Sequence, residues 1–370
     1  MAMARNRRGE TWYRCGREGG IAAEVRASRG AVGSAAPPVV GVVRPGGAPR
    51  ARWQFDLGGT YVLAVMVAPA LHTPLPLSTR LGAYVALTKP RIIELLLVTT
   101  VPTMVVAERG MPGWWLMVAT IVGGALAAGG ANAVNMYVDR DIDAVMERTK
   151  GRPLVTGAVT PRAALSFAVG IEALAFLWLW VLVNPLSAVL GLSACLFYVF
   201  VYTLWLKRSS SQNIVIGGAA GAIPVLIGWS AVTDSGSQTF SWAPLWLFAL
   251  MFFWTPPHFW ALAIKYKDDY ACAEVPMLPV VASHRDTTVK ILTYTVVVWA
   301  CSLAFGAAAE LGVLYWVAAV ALGAAFTWQS VVVLRTESPK AAIRLFTFSI
   351  TYVTRLFGAM AADVLVRHGW

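Results

Sequence analysis

From about residue 84 the chain repeats one pattern: an apolar run close to 20 residues long, then a short polar break. The runs fall at 84–107, 114–133, 164–183, 187–206, 214–233, 242–264, 291–309, 313–334 and 345–365. About 20 residues of α-helix cross the roughly 30 Å of bilayer hydrocarbon. In that medium every backbone N–H and C=O must be paired inside the segment or around a closed barrel. Period-two alternation is absent from the runs, so barrel strands are excluded. The expectation is an all-α polytopic membrane protein with nine transmembrane helices. The first run is interrupted by Lys89, Pro90, Arg91 and Glu94, and the ninth carries Arg355 and Asp363. Composition agrees, with 58% of residues hydrophobic and 13% charged. Soluble domains sit near roughly 45–50% and 25%, so an ordinary soluble enzyme and a disordered chain are both excluded.

The breaks alternate in charge. Those around 139–162, 207–213, 265–290 and 335–344 are rich in Lys and Arg, whereas 108–113, 184–186, 234–241 and 310–312 hold only Arg109 between them. The positive-inside rule places the basic breaks in the cytoplasm. Nine spans then put the N-terminus inside and the C-terminus outside. The expected location is the inner (cytoplasmic) membrane, with a mitochondrial inner membrane the lesser reading. Residues 1–80 differ from the rest. They carry eleven arginines against four acids, a net +7 of the chain's +11. Their one apolar stretch, Tyr61 to Leu71, is too short to span and contains Pro69. This extension reads as a disordered tail, a targeting segment, or the product of an over-long start ahead of Met66. Residues 81–370 form the membrane domain. No basic folded module with groove-reading elements is present, so no nucleic-acid partner is expected. The four cysteines show no metal-binding spacing.

The strongest local signal is Asn135-Met-Tyr-Val-Asp139-Arg-Asp-Ile-Asp143, at the end of the second run. Asn135, Asp139 and Asp143 recur every four residues, so on a helix they stack on one face about 6 Å apart. Such oxygen donors suit Mg²⁺, which takes one or two carboxylates together with phosphate and water. Asp141 is rotated about 200° away, toward a solvated or salt-bridged face. Arg148, Lys150 and Arg152 follow closely and could meet the remaining charge of a diphosphate. The alternative is that the acids merely end a helix at the interface, although acids at a helix C-terminus oppose its dipole.

A second cluster, Lys265-Tyr266-Lys267-Asp268-Asp269-Tyr270, ends the sixth run on the same side of the membrane. Two acidic clusters facing one compartment are what a two-metal diphosphate site requires. Lys207-Arg208 ends the fourth run there too, either as a diphosphate ligand or as a topology anchor. His258, in Trp254-Thr-Pro-Pro-His258-Phe-Trp260, is the only histidine within a run. Ionisable groups inside a membrane are functional candidates; the other reading is a hydrogen-bonded core histidine. The Pro256-Pro257 pair is expected to break the helical ladder beside it.

These motifs resemble the UbiA superfamily of intramembrane aromatic prenyltransferases, and within it the haem-farnesylating branch. The resemblance covers about residues 81–365. It rests on Leu87-Thr-Lys-Pro-Arg-Ile-Ile-Glu-Leu95, Asn135–Asp143 continuing to Gly157, Gln212-Asn-Ile-Val-Ile-Gly-Gly218, and Trp254–Val280. It implies nine helices around a central cavity, with two acidic motifs holding Mg²⁺ and a prenyl diphosphate. Asn135, Asp139 and Asp143 match the first motif, and Asp268 and Asp269 lie within the second; these five are the implied catalytic and metal residues. In the second motif Tyr266 and Tyr270 stand where the superfamily commonly has Asp, and Glu274 stands where the branch usually has a small residue. The implied substrate contacts are Lys89, Arg91, Arg148, Lys150, Arg152, Lys207, Arg208, Lys265, Tyr266, Tyr270 and His258. The implied reaction is farnesyl transfer from farnesyl diphosphate to the 2-vinyl group of haem B with water addition, giving haem O. A haem A synthase is the implied downstream partner. A sister prenyltransferase acting on a quinone precursor would share the metal motifs but not residues 254–280. A transporter would be expected to show internal repeats and midplane breaks, and neither is evident.

Overall fold

The computed structural model describes residues 12–15, 23–26, 77–233 and 236–369. The chain divides into two compact units, Met1–Thr79 and Arg80–Trp370. In the first, β1 (Trp12–Cys15) pairs antiparallel with β2 (Ala23–Arg26), Trp12 standing opposite Arg26 and Cys15 opposite Ala23. Tyr61 to Leu71 and Met66 lie outside the described residues.

The second unit is helical. Its elements are α1 (Leu77–Thr88), α2 (Pro90–Glu108), α3 (Trp114–Val138), α4 (Arg140–Val145), α5 (Pro161–Leu182), α6 (Pro185–Ser209) and α7 (Asn213–Thr233). They are followed by α8 (Trp242–Lys265), α9 (Lys267–Cys272), α10 (Leu278–Val281), α11 (His284–Ala308), α12 (Val313–Thr336) and α13 (Pro339–His368). Among the described residues eight helices are long and apolar enough to cross a membrane: α3, α5, α6, α7, α8, α11, α12 and α13. The remaining expected span, the first run at 84–107, corresponds to α1 and α2, where the qualifying apolar part is the shorter stretch Val98–Glu108.

Helix ends depart from the hydropathy boundaries for a local reason. Polar caps and proline at the first helical position start helices ahead of their apolar stretch. Thr160 Oγ1 accepts from Ala163 N ahead of α5, Asn184 Oδ1 from Ser187 N ahead of α6, and Ser283 Oγ from Asp286 N ahead of α11. The expected first run is split. Lys89 adopts φ 54°, ψ 61° between α1 and α2, because the following Pro90 disfavours the right-handed helical conformation at its predecessor. The proline pair does not break α8, which runs through Pro256 and Pro257 without interruption.

Neighbouring helices pack α3 on α5, α5 on α6, α6 on α7, α7 on α8, α8 on α11, and α11 through α12 to α13. α13 returns to pack on α2, which also meets α3 and α7, so the bundle closes on itself. Small residues permit the close approaches, as expected where lipid removes the hydrophobic drive between helices. A Cβ at Gly217 of α7 would lie 2.3 Å from Tyr202 Cδ2 of α6, so only glycine lets that ring lie flat there. Many large apolar side chains face outward, among them Trp114, Trp242 and Val313 at the starts of α3, α8 and α12. That is an inverted soluble surface, with aromatic residues where a bilayer interface would begin.

Candidate active site

The first motif keeps its helical register through the α3–α4 junction. Asp139 N donates to Asn135 O at 2.9 Å, and Asp143 N to Asp139 O at 2.8 Å. The three side chains therefore stack on one face, and all three are buried. Buried carboxylates need partners, and three separate elements supply them. Lys207, at the end of α6, pairs with Asp139 Oδ2, which also accepts from Asn135 Nδ2 at 2.7 Å. Arg152, in the loop after α4, donates to Asp143 Oδ2 at 2.6 Å. Lys89 Nζ, from the α1–α2 break, donates to Asn135 Oδ1 at 2.7 Å. Lys89 lies outside the membrane-spanning segments. Burial, with repulsion from Arg152 and Lys207, lowers its pKa to about 7. Left-handed backbone at a lysine costs on the order of 1–3 kcal/mol, and here it accompanies delivery of the ammonium to the motif.

α6 contributes more than Lys207. Over Phe197–Leu206 it is a π-helix, a form frequent at functional sites. Thr203 Oγ1 donates back five residues to Tyr198 O at 2.8 Å and accepts from Asn135 Nδ2 at 3.2 Å. Tyr198 and Tyr202 stack at 5.3 Å beside the cluster. Thr203, Tyr198 and Tyr202 carry no signal in the sequence, because a π register displaces side chains from the faces that 3.6-residue periodicity assigns.

The remaining expected residues divide. Arg208 grips Asp141 with two 2.7 Å hydrogen bonds and stands 3.8 Å from Asp139 Oδ1. The Arg208 hydrogen bonds pull the Asp141 carboxyl down to about 2, so Asp141 sits on the salt-bridged face expected of it. Lys150 pairs with Glu147 at the surface, 2.6 Å away, and does not join the cluster. Arg148 lies over the Tyr266 ring at 5.6 Å and close to Tyr270, tying the loop after the first motif to the second; burial raises the Tyr270 hydroxyl. Lys265 Nζ also lies over that ring, 5.2 Å from its centre. Asp268 is exposed and Asp269 half-buried in α9; among the described residues neither makes an ion pair or side-chain hydrogen bond. Arg91 occupies the first turn of α2, and its side chain lies outside the described residues. His258 is packed between α8 and α13, away from these contacts.

Among the described residues Asp139 Oδ1 is buried and without a hydrogen-bond partner. An orphaned carboxylate oxygen beside Asn135 and Asp143 is an all-oxygen donor set, the chemistry a hard divalent cation takes. Among the described residues no three Asp, Glu, His or Cys side chains already converge on one point. The first motif thus fits such a cation, while the second motif stands apart from it.

Residues 96–353, which span both acidic motifs, match the UbiA prenyltransferase family. The chain belongs to the UbiA prenyltransferase family. A curated relative, the protoheme IX farnesyltransferase of Parafrankia sp. (strain EAN1pec), is 55% identical over 291 residues, 78% of this chain and 91% of the relative. Among solved structures, a digeranylgeranylglyceryl phosphate synthase shares the fold at TM-score 0.64 and 14% identity, covering 78% of this chain and 99% of that one. A UbiA homologue from Archaeoglobus fulgidus bound to DMAPP and Mg²⁺ does so at TM-score 0.53 and 16% identity, over 76% of this chain and 99% of that one. The acid-and-lysine cluster therefore lies inside the part of the chain that makes it a UbiA prenyltransferase. Lys89 lies just before the matched residues.

Proposed function

We propose that this UbiA-family chain transfers the farnesyl group of farnesyl diphosphate to the 2-vinyl group of haem B, with addition of water, giving haem O. The observation that carries the reading is the buried Asn135-Asp139-Asp143 face, with cations from three elements converging on it. The name of the 55% identical relative supplies the donor and acceptor.

Asn135, Asp139 and Asp143 would hold one Mg²⁺, and Asp268 and Asp269 of α9, which stand apart from that cluster, would hold a second. When bound, the metal offsets the charge of the diphosphate and eases its departure. Lys89, Arg152 and Lys207 bind the diphosphate oxygens and stabilise the charge that develops as the allylic C–O bond breaks. An arriving polyanion also restores full protonation to Lys89, whose charge burial otherwise weakens. Arg148, Lys265, Tyr266 and Tyr270 form the rim of the diphosphate site. Lys150 is committed to Glu147 within the loop after α4, and Arg208 to Asp141, which ties the end of α6 to α4. The stacked faces of Tyr198 and Tyr202 favour a cation nearby. The farnesyl C1 bonds to the terminal vinyl carbon, the electron pair of the broken C–O bond leaves with diphosphate, and the cation on the haem side takes up water and loses a proton. Apolar walls exclude other water until that stage.

The membrane is the bacterial inner membrane, with the acid end of the bundle in the cytoplasm, where farnesyl diphosphate is soluble. An enzyme that consumes haem O, expected to be a haem A synthase, is the partner downstream. The test supplies purified protein in membranes with haem B, farnesyl diphosphate and Mg²⁺ and reads the product by mass. The expected product gains one farnesyl group and one hydroxyl group, and its formation stops when Mg²⁺ is chelated. Unchanged haem B, or prenylation of an added quinone precursor in its place, would overturn the assignment.

A further inference from the structure

At the end of the bundle that carries both acidic motifs, α11 begins beside the point where α12 ends. A cavity of about 300 Å³ lies there, at the small end of the roughly 300–1,000 Å³ that small ligands occupy. It shares no residue with the acid-and-cation cluster. His284, Arg285 and Val289 of α11 line it, with Leu334 of α12 and Glu337 just past the end of that helix. α12 presents Val313, Val317, Val320 and Trp328 to its surroundings, so the cavity lies beside a lipid-facing wall. The lining is graded along the membrane normal. Val289 lies four residues, about 6 Å, deeper along α11 than Arg285, and Leu334 lies three residues before Glu337. Charge therefore stands at the membrane face and aliphatic side chains stand below it, the order of a phospholipid's own headgroup and chains.

The charges in this lining are complementary and yet apart. Arg285 and Glu337 line one cavity, but among the described residues neither makes an ion pair or a side-chain hydrogen bond. Their neighbour Asp286, by contrast, is taken up by the Ser283 hydroxyl at 2.7 Å. Among the described residues His284 Nε2 is buried and has no hydrogen-bond partner. Buried polar atoms are nearly always paired, so an unpaired one in a cavity wall points to a partner from outside the chain. A basic pocket between spans at headgroup depth would alone suit an anionic lipid. Glu337 works against that choice, because like charges repel, and Arg285 works against a simple cation. A headgroup that carries both charges satisfies both residues. We infer that this cavity binds the headgroup of a phosphoethanolamine phospholipid, with its phosphate on Arg285 and His284, its ammonium on Glu337, and the start of an acyl chain along Val289 and Leu334.

The full-length protein, purified in detergent and freed of lipid, tests this when titrated with dioleoyl phosphatidylethanolamine, dioleoyl phosphatidylglycerol or soluble phosphoethanolamine, with the bound molecules counted by native mass spectrometry. The unaltered protein should take up phosphatidylethanolamine at one saturable site, more tightly than phosphatidylglycerol and far more tightly than soluble phosphoethanolamine. Arg285→Gln should weaken both lipids about fivefold, the effect of one charge at the membrane surface. Glu337→Gln should weaken phosphatidylethanolamine alone and erase its advantage over phosphatidylglycerol. Arg335→Gln, which removes a nearby charge outside the lining, should change neither. The thermal midpoint without lipid reports that each variant is folded. Unchanged phosphatidylethanolamine binding in folded Arg285→Gln or Glu337→Gln would overturn the inference, as would the lack of a saturable site. A preference of the unaltered protein for phosphatidylglycerol would overturn the zwitterionic headgroup. Equal binding of soluble phosphoethanolamine would overturn the lipid.

Discussion

The bundle carries buried charge at both ends, and the two ends treat it differently. At the end opposite the motifs, Asp363 of α13 is buried, accepts from Gly312 N at 2.5 Å and Tyr315 N at 3.3 Å, and stands 3.8 Å from Arg367. Arg367 in turn donates to the Glu310 carbonyl at 2.6 Å, and Arg109 meets the Glu310 side chain at 3.3 Å. Both Asp363 oxygens are thereby bound to backbone N–H groups at the start of α12, the standard repair for a helix N-terminus. At the motif end the carboxylates of Asp139 and Asp143 meet lysine and arginine side chains from other elements, and among the described residues Asp139 Oδ1 is left without a hydrogen bond. A charge consumed by backbone stabilises; charges held against one another, with an oxygen to spare, are arranged for a ligand.

Substitutions can break or sharpen this contrast. The largest effect is expected at Asp143→Asn, which should lower turnover per folded molecule by about 10³-fold while the protein still inserts. Comparable turnover in that variant would make the motif end structural, like its counterpart. Lys207→Met leaves the Asp139 charge buried with only the neutral Asn135 amide and the looser Arg208 contact, so chemical denaturation should show a loss of about 3–5 kcal/mol. Replacing both partners, Lys207→Met with Asp139→Leu, should return much of the stability and none of the turnover. At the opposite end Asp363→Ala should cost about 2 kcal/mol, visible as a lower midpoint, with turnover per folded molecule within about twofold of wild type. The smallest effect belongs to Arg109→Gln, which removes a largely exposed pair and should change stability by less than about 1 kcal/mol.

The contrast was only half visible in the sequence. The four-residue spacing of Asn135, Asp139 and Asp143 survives a change of helix because the backbone hydrogen bonds continue across it, so periodicity alone read that face correctly. The spans were legible because lipid permits one solution to a 20-residue apolar run. What could not be read was set by contacts between distant segments or by irregular backbone. Lys89 reaches Asn135 across 46 positions through a left-handed residue, Thr203 reaches it from a π-helix, and Asp363 finds its role 51 positions away at Gly312. Lys150 looked equivalent to Arg152 in the sequence, yet it turns to Glu147 three residues before it. Tyr266 and Tyr270 gained meaning only from Arg148, which packs against both.

The most direct test sets one carboxylate of each end side by side, measuring haem O formation and thermal midpoint on Asp139→Asn and Asp363→Ala purified in the same detergent. The account predicts that Asp139→Asn loses haem O formation per folded molecule, with a lowered midpoint because Lys207 is left without its buried carboxylate, and that Asp363→Ala lowers the midpoint with turnover per folded molecule intact. Loss of turnover per folded molecule in both variants, or in neither, would contradict it.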